Sequence, residues 1–194
     1  MENAKTGRDI FQKNRNIINL FVKLIKCFPL NFRKKFFIFF RNKKGLSGMA
    51  IRYIILKSLA KSLGDNVSVH PGVYLLKPEN LSIANNVSIH PMCYIDATGG
   101  IQIGNNVSIA HGTSILSSTH EYSDINIPIK YQKIRLGEVV IEDNVWIGAK
   151  VTILYQNTIS SGAIVGANSL VTRDVVSKSV VGGNPAKLLK MRGN

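Results

Sequence analysis

The sequence is poor in cysteine, and it lacks any apolar stretch long enough to cross a bilayer. Its two cysteines, Cys27 and Cys93, fall in segments of different type. This excludes a disulfide framework and favours a reduced, cytosolic protein. The longest apolar runs, such as residues 36–40, fall far short of the roughly 20 residues of a membrane span. We expect no secretory signal, because charges interrupt every apolar run of the first 61 residues.

Acidic residues are scarce in the first 61 residues. Glu2 and Asp9 are the acids of that segment, whose net formal charge is +13, against +1 for residues 62–194. The charge of the whole chain, +14, therefore belongs almost entirely to one region. Because no nucleic-acid recognition motif accompanies this charge, we expect no nucleic-acid partner.

Residues 1–61 predict a basic, amphipathic helical region. After a polar stretch over residues 1–16, the apolar residues between Ile17 and Ile25 recur at helical spacing, and Pro29 is expected to end that helix. Residues 31–44 then place five large apolar residues between two basic clusters, and a second amphipathic pattern follows from about Met49.

Two interpretations of residues 17–61 remain open. In the first, Phe and Leu enter the acyl boundary of a membrane while Lys and Arg meet anionic headgroups, each contributing about 1 kcal/mol near the surface. In the second, the helices pack on the domain that follows, and the charge is a solvated face. The concentration of Phe beside Lys and Arg favours peripheral membrane association.

An aliphatic residue returns at every sixth position over much of residues 62–194. Shorter runs precede an unbroken one at Ile141, Ile147, Ile153, Ile159, Val165 and Val171. A period of six fits neither a helix nor a simple strand, and it is typical of a β-helix solenoid. Each hexad would form one side of a triangular coil, with Gly, Asn and Asp turning the corners. About six turns fit between Leu63 and Val176.

The period fails between residues 121 and 138, directly after a hexad that ends on His120. A loop of this size inside a regular solenoid is usually functional. We therefore divide the chain into a helical region, residues 1–61, and a β-helix domain, residues 62–194. The domain carries the extended loop 121–138 and ends in a short C-terminal tail.

The β-helix domain resembles the hexapeptide-repeat acyltransferases, whose fold is a left-handed parallel β-helix. The resemblance rests on IDATGGIQIGNNVSIAHGTSIL, SSTHEYSD, IEDNVWIGAKVTIL, and GANSLVTRDV followed by VGGNPAKLLK. The nearest patterns are those of the capsule, colanic-acid and lipopolysaccharide O-acetyltransferases and of the maltose and galactoside acetyltransferases. The resemblance implies an all-β solenoid, a homotrimer with active sites between subunits, and acetyl-CoA as acyl donor without a metal.

The resemblance makes His120 the catalytic base. Acetyl transfer from a thioester to a sugar hydroxyl needs a base near neutral pH, which imidazole suits. Acceptor contacts are implied at His90, which replaces an Asn of the galactoside enzyme, and at Asp96, two residues before the position of that enzyme's Asp. The positions that match the donor cleft are Trp146, Ala149, Ala167, Thr172, Arg173, Lys187 and Lys190. Gln156 and Ser160 depart from the family pattern, which has glycine there.

Other functions are weighed against this one. A zinc lyase of the γ-carbonic anhydrase type would need three histidine ligands, and the chain has His70, His90, His111 and His120. A non-catalytic scaffold would not need His120, and an acetyltransferase could act on a free sugar, an amino sugar, serine or an antibiotic. The long loop and the GNPAK ending favour a transferase. The basic region favours a cell-envelope saccharide as acceptor, at the inner face of the plasma membrane.

Overall fold

Three helices precede a parallel β-helix in the computed structural model, which describes residues 7–193. The helices are α1 (Gly7–Lys26), α2 (Leu30–Phe40) and α3 (Gly45–Leu59). The predictions made for residues 1–6 and 194 lie outside the described residues. Helix α1 begins well before Ile17, because Phe11 also packs inward, with its ring centroid 5.2 Å from that of Tyr53.

Three parallel sheets form the sides of the β-helix, and each coil contributes one short strand to each sheet. Sheet A contains β1 (Ser62–Leu63), β4 (Leu81–Ile83), β7 (Ile101–Ile103), β12 (Val139–Ile141) and β15 (Thr158–Ile159). Sheet B contains β2 (Ser68–Val69), β5 (Ser88–Ile89), β8 (Ser108–Ile109), β13 (Trp146–Ile147), β16 (Ile164–Val165), β18 (Ser179–Gly182) and the antiparallel β19 (Lys187–Met191). Sheet C contains β3 (Tyr74–Leu76), β6 (Tyr94–Asp96), β9 (Ser114–Leu116), β14 (Thr152–Ile153) and β17 (Leu170–Val171).

The first residue of each hexad points into the β-helix, as the period predicts. Ile109, Ile147 and Val165 pair in register along sheet B, and all three are fully buried. Burial of such a side chain contributes about 1.5–3 kcal/mol. The stacked aliphatic residues therefore form one continuous core along the axis of the β-helix.

The corners between sheets A and B carry asparagine in the left-handed backbone region. Asn66, Asn86 and Asn106 have φ values of 55°, 58° and 58°, and asparagine tolerates this region better than most residues. The Oδ1 atom of Asn85 accepts a hydrogen bond of 2.8 Å from the backbone N–H of Asp65 in the preceding coil. These corners explain why Asn and Asp recur with the period.

The first coils are longer than the later ones. Ser62 pairs with Ser82, 20 positions on, whereas Thr152 pairs with Leu170, 18 positions on. The two additional residues of the longer coils fall at the corner between sheets C and A, around residues 77–80 and 97–100. They explain why only shorter runs of the six-residue period occur before residues 121–138.

Helix α3 closes the N-terminal end of the β-helix. Its residues Ile55, Leu56 and Leu59 join the same buried cluster as the first coil. A solenoid needs such a cap because its open end would expose the core. The N-terminal helices therefore pack on the first coils, as the second interpretation of residues 17–61 predicts.

A buried arginine joins α2, α3 and the first coil. The Nε atom of Arg52 donates to the carbonyl of Val69 at 2.8 Å, and its Nη1 atom donates to the carbonyls of Phe40, Arg41 and Lys43 at 3.2, 3.3 and 2.6 Å. The side chain is inaccessible to solvent, and this burial lowers the pKa of Arg52. Its charge stabilises the carbonyl-rich C-terminal end of α2.

Ion pairs also fix the helices to the first coil. Arg15 lies 2.9 Å from Asp65, and Lys34 lies 2.8 Å from Glu79. The guanidinium of Arg41 lies over the ring of a tyrosine in β3, 3.7 Å from its centroid. Some of the basic side chains of this region therefore form contacts within the protein.

Two segments that lie outside the six-residue period contain strands. Strands β10 (Ser118–His120) and β11 (Ile134–Leu136) form an antiparallel hairpin, so the extended loop is shorter than residues 121–138 and contains a 3₁₀ turn at Ile129–Tyr131. The C-terminal tail is a hairpin as well, because β19 pairs with β18 and extends sheet B. Among the helices of residues 7–193, none combines the length and apolarity needed to span a bilayer.

Candidate functional site

His120 lies where the chain leaves the β-helix. It ends β10, its backbone pairs with that of Ile134, and its side chain is exposed. Because side chains alternate along a strand, Ser118 and His120 project from the same side of β10. The imidazole is thus held on a paired strand, at the base of an excursion that leaves it open to a substrate.

Asp96 anchors the base of this hairpin. Its Oδ2 atom accepts a hydrogen bond of 2.6 Å from the Ser118 hydroxyl, and its Oδ1 atom accepts bonds of 3.0 and 2.5 Å from the backbone N–H and the hydroxyl of Thr98. Burial alone would raise the pKa of Asp96, but the hydrogen bonds from Ser118 and Thr98 outweigh it and lower the pKa. The side chain is 8% exposed, so it is a charged anchor with little surface left for a substrate.

The pattern of hexads did not identify the serines of this anchor. The Ser117 hydroxyl donates to the Asp96 carbonyl at 2.6 Å and accepts from the Gly99 N–H at 2.8 Å, so it joins two successive coils. The signal was available, because two adjacent serines stand between an aliphatic strand and His120. A polar pair at this position indicates that the chain leaves the coil there and that its backbone pairs with a strand outside the coil.

His90 lies at the corner between sheets B and C, stacked on His70 of the preceding coil. The ring centroids are 4.9 Å apart and the planes differ by 7°. Burial, the neighbouring His90 ring and the charge of Arg52 lower the pKa of His70, in that order. The lowered pKa favours the neutral ring of His70, which reduces repulsion within the stacked pair. Both histidines precede proline at equivalent repeat positions, 20 residues apart.

The two predicted acceptor contacts lie at different corners of one chain. His90 follows β5 in sheet B, whereas Asp96 ends β6 in sheet C, so one side of the triangle separates them. Six residues of extended chain span up to about 20 Å. Within a single chain, these two side chains do not form one pocket.

Trp146 and Lys190 lie on the outer surface of sheet B. Trp146 pairs with Ile164, Ile164 with Val180, and Val180 with Lys190, so three strand spacings separate the two side chains. At ~4.8 Å per spacing, the separation is about 14 Å. Lys187 lies on the same strand as Lys190. An exposed indole and two cations provide a surface for a ring and for phosphate groups.

The remaining predicted donor contacts divide between two corners. Ala149 and Ala167 occupy successive coils at the corner of sheets B and C, where the Ala149 carbonyl accepts a bond of 2.9 Å from the N–H of Asn168. Thr172 and Arg173 follow β17 and are exposed at the corner of sheets C and A. That is the corner that carries the Asp96 anchor and the hairpin.

The predicted site residues therefore form two groups. The corner of sheets C and A carries Asp96, His120, Thr172 and Arg173. The other group lies at the corner of sheets B and C and on sheet B, and comprises His90, Trp146, Ala149, Ala167, Lys187 and Lys190. A cavity of about 460 Å³ on sheet A, which includes Ser82, Gln102 and Glu142 in its lining, contains none of them. Within residues 7–193, no three His, Cys, Asp or Glu side chains are grouped to hold a metal ion.

Two departures from the family pattern leave the coil intact. Gln156 adopts a φ of 61° at the corner of sheets C and A, where glycine would meet no strain. Its backbone N–H still donates to the carbonyl of Gly137, at 3.3 Å. Ser160 keeps the ladder as well, since its N–H donates to the carbonyl of Val175 at 2.9 Å.

Curated relatives match part of the chain, and no family model matches it. The chain is 45% identical over 58 residues to chloramphenicol acetyltransferase of Morganella morganii, which covers 30% of this chain and 28% of that protein. It is 35% identical over 80 residues to WbbJ of Escherichia coli strain K12, assigned to lipopolysaccharide biosynthesis as an O-acetyl transferase, covering 41% of each. The chain thus spans less than half the length of these relatives.

Solved structures match most of the chain. A maltose O-acetyltransferase from Clostridium difficile 630 superposes with a TM-score of 0.75 and 28% identity, covering 85% of this chain and 87% of that one. A galactoside acetyltransferase in complex with coenzyme A gives a TM-score of 0.74 and 25% identity, covering 84% and 80%. These likenesses confirm the predicted architecture of a parallel β-helix with an N-terminal helical region.

Proposed function

We propose that this chain, a member of the hexapeptide-repeat acetyltransferase family, transfers an acetyl group from acetyl-CoA to a hydroxyl of a cell-envelope saccharide. The acceptor would be a precursor of capsule, exopolysaccharide or lipopolysaccharide, in the cytoplasm at the inner face of the plasma membrane. The observation that carries the proposal is the exposed imidazole of His120, presented on a hairpin in a fold shared with a maltose O-acetyltransferase and a galactoside acetyltransferase. The partial match to WbbJ supports the saccharide class.

His120 would act as a general base. Its imidazole takes the proton of the acceptor hydroxyl while that oxygen attacks the thioester carbonyl and forms the new C–O bond. The C–S bond then breaks, and coenzyme A leaves as the thiol after the imidazolium returns the proton. Backbone N–H groups of the coil are candidates to stabilise the oxyanion. The acetyl group passes directly, without a covalent enzyme intermediate.

Asp96 would position the base as well as border the acceptor. Its carboxylate binds the Ser118 hydroxyl, and Ser118 precedes His120 by two residues on the same side of β10. Removing this bond would loosen the strand that carries the imidazole without touching the ring itself. His90 is proposed as the second acceptor contact, from the other corner.

A homotrimer would complete the site. One chain divides the proposed residues between two corners, so a neighbouring chain is needed to bring Trp146 and the lysines of β19 to His120. The hairpin excursion also exposes large apolar side chains, among them Ile125, which is 95% exposed. A second chain packed on the excursion would cover them. Each of the three sites would then lie between two subunits.

The decisive experiment measures thiol release from acetyl-CoA with a panel of cell-envelope saccharides. His120→Ala should lower kcat by about 10²–10⁴-fold, the range of general base catalysis. Because the side chain is exposed, the melting temperature should stay within about a degree of wild type. Turnover at the wild-type rate would contradict the assignment of the base.

Subunit mixing tests the shared site. His120→Ala and Trp146→Ala chains, unfolded and refolded together, should regain activity that neither has alone. Random assembly would restore about a quarter of the sites, since each needs one intact contribution from two neighbours. If the mixture stays as inactive as its components, the site lies within one chain, and the assignment of His120 as base is unaffected.

A small acceptor is the second candidate function. The match to chloramphenicol acetyltransferase, although it covers 30% of the chain, favours an antibiotic as acceptor, and the likeness to a maltose O-acetyltransferase favours a free sugar. The same assay separates the two candidates. Thiol release with chloramphenicol or simple galactosides, and none with envelope saccharides, would replace the proposed acceptor while keeping the acetyl transfer.

A further inference from the structure

The exposed surface of helix α1 carries an apolar stripe, although the helices cap a solenoid. Terminal caps of solenoids need a polar outer face to remain in water. Helix α1 instead has two apolar sides. Ile18 and Val22 pack inward, whereas Ile17, Leu20 and Leu24 are exposed and, at spacings of three and four residues, lie along one side of the helix. No other part of the described protein covers the exposed side.

The exposed stripe continues into α2. The ring of Phe28, between the helices, stacks on that of Phe32 at a centroid distance of 4.9 Å. Six and seven residues after Phe32, about two helical turns on, Ile38 and Phe39 are 60% and 78% exposed. We define the outer helical face as Ile17, Leu20, Phe21, Leu24, Phe28, Phe32, Ile38 and Phe39.

Positive charge borders this face, and negative charge does not. The arginines Arg15, Arg33 and Arg41 contact other parts of the protein. Lysines are exposed instead and have no acidic partner among the residues that the structure describes, namely Lys23, Lys26, Lys35, Lys43 and Lys44. No acid occurs in the sequence between residues 10 and 64. Lys35 lies three residues after Phe32 and four before Phe39, within the apolar stripe.

We propose that the outer helical face docks on the surface of an anionic lipid bilayer. Its Phe and Leu side chains would enter the acyl boundary, and the exposed lysines would meet the phosphate groups just above it. An apolar stripe bordered by charge of one sign matches this layered chemistry, in which an anionic layer adjoins an apolar one. Bilayer docking does not depend on acetyl transfer, although it would bring the site to lipid-linked acceptors.

Sedimentation with vesicles tests the proposal. The full chain should sediment with mixed phosphatidylcholine and phosphatidylglycerol vesicles and not with pure phosphatidylcholine. High salt should release it, because the Debye length falls from about 10 Å at 0.1 M to about 3 Å at 1 M. Absence of binding to the anionic vesicles, or equal binding to the neutral ones, would overturn the proposal.

Matched variants locate the face. The double variant Ile38→Ser/Phe39→Ser should weaken vesicle binding about a hundredfold, and Lys35→Glu should weaken it about tenfold. The controls are Val176→Ser, at a residue 58% exposed on the far end of the β-helix, and Lys178→Glu beside it. Controls that weaken binding as much as the variants would overturn the assignment of this face.

The same double variant distinguishes a bilayer from a second copy of the chain. Light scattering should give the same molar mass for wild type and Ile38→Ser/Phe39→Ser, because the face meets lipid rather than protein. A lower mass for the variant, with vesicle binding unchanged, would show that the face is a contact between subunits and would refute bilayer docking.

Discussion

The helical region and the β-helix use their apolar residues in different ways. In the β-helix, the aliphatic residues of the hexad period are buried, and the charge is close to balanced. In the helical region, apolar residues lie on both sides of α1 and α2, and acids are scarce. The strict six-residue period specifies which residues point into the β-helix. A wide apolar arc on a helix leaves open which part of it faces the protein.

The basic residues of the helical region show the same division. Arg52 and Arg15 act within the protein, one by binding four carbonyls and the other by pairing with Asp65. Exposed lysines such as Lys23 and Lys35 face solvent. A planar guanidinium suits fixed, multiple hydrogen bonds, whereas an ammonium group on a flexible stem suits a hydrated surface. The net charge of the region does not distinguish these buried or paired arginines from the exposed lysines.

The largest predicted effect contrasts an inward residue with an outward one. Ile147→Ala should lower the free energy of unfolding by about 2–5 kcal/mol, because it leaves a cavity in a fully buried stack. Ile38→Ala, on the outer helical face, should change it by less than about 0.5 kcal/mol. Urea denaturation measures both. Equal losses would mean that the outer face is covered in solution.

An intermediate effect is predicted for the residue that joins the two regions. Arg52→Met should lower the free energy of unfolding by about 1–3 kcal/mol, because the carbonyls at the end of α2 lose their donor. Lys23→Met, an exposed change of the same charge, serves as the control and should leave unfolding unaltered. If both variants unfold at the same urea concentration as wild type, the guanidinium does not hold the cap on the β-helix.

The smallest predicted effect is a pH dependence at the stacked histidines. The folded pKa of His70 is lowered by burial, by His90 and by Arg52. Below the unfolded pKa of about 6.5, the unfolded chain therefore binds a proton more readily than the folded protein. As the pH is lowered from there towards the folded pKa, the free energy of unfolding decreases. His70→Gln should show a shallower loss of melting temperature between pH 7 and 5. An identical slope in both proteins would contradict this pairing.

Much of the fold was predictable because the coil repeats its geometry. The period identified the buried stack, and the Asn and Asp corners followed from the left-handed backbone angle that such turns require. The hairpins were not predictable, because β10 pairs with β11 across an excursion that carries no period. The resemblance singled out His120, but the contacts of Asp96 with Ser118 and Thr98 depend on where two coils meet.

The sequence by itself determined the solenoid and the basic helical region before it, since the six-residue period and the helical spacing are local patterns along the chain. Its resemblance to a known family supplied His120 as the candidate base. Only the tertiary structure decided how these parts meet. It separated His90 from Asp96 by one side of the triangle, stacked His70 on His90, and directed one side of α1 inward and the other outward. These contacts join residues that are far apart in the chain, so they depend on how the coils and helices stack in three dimensions.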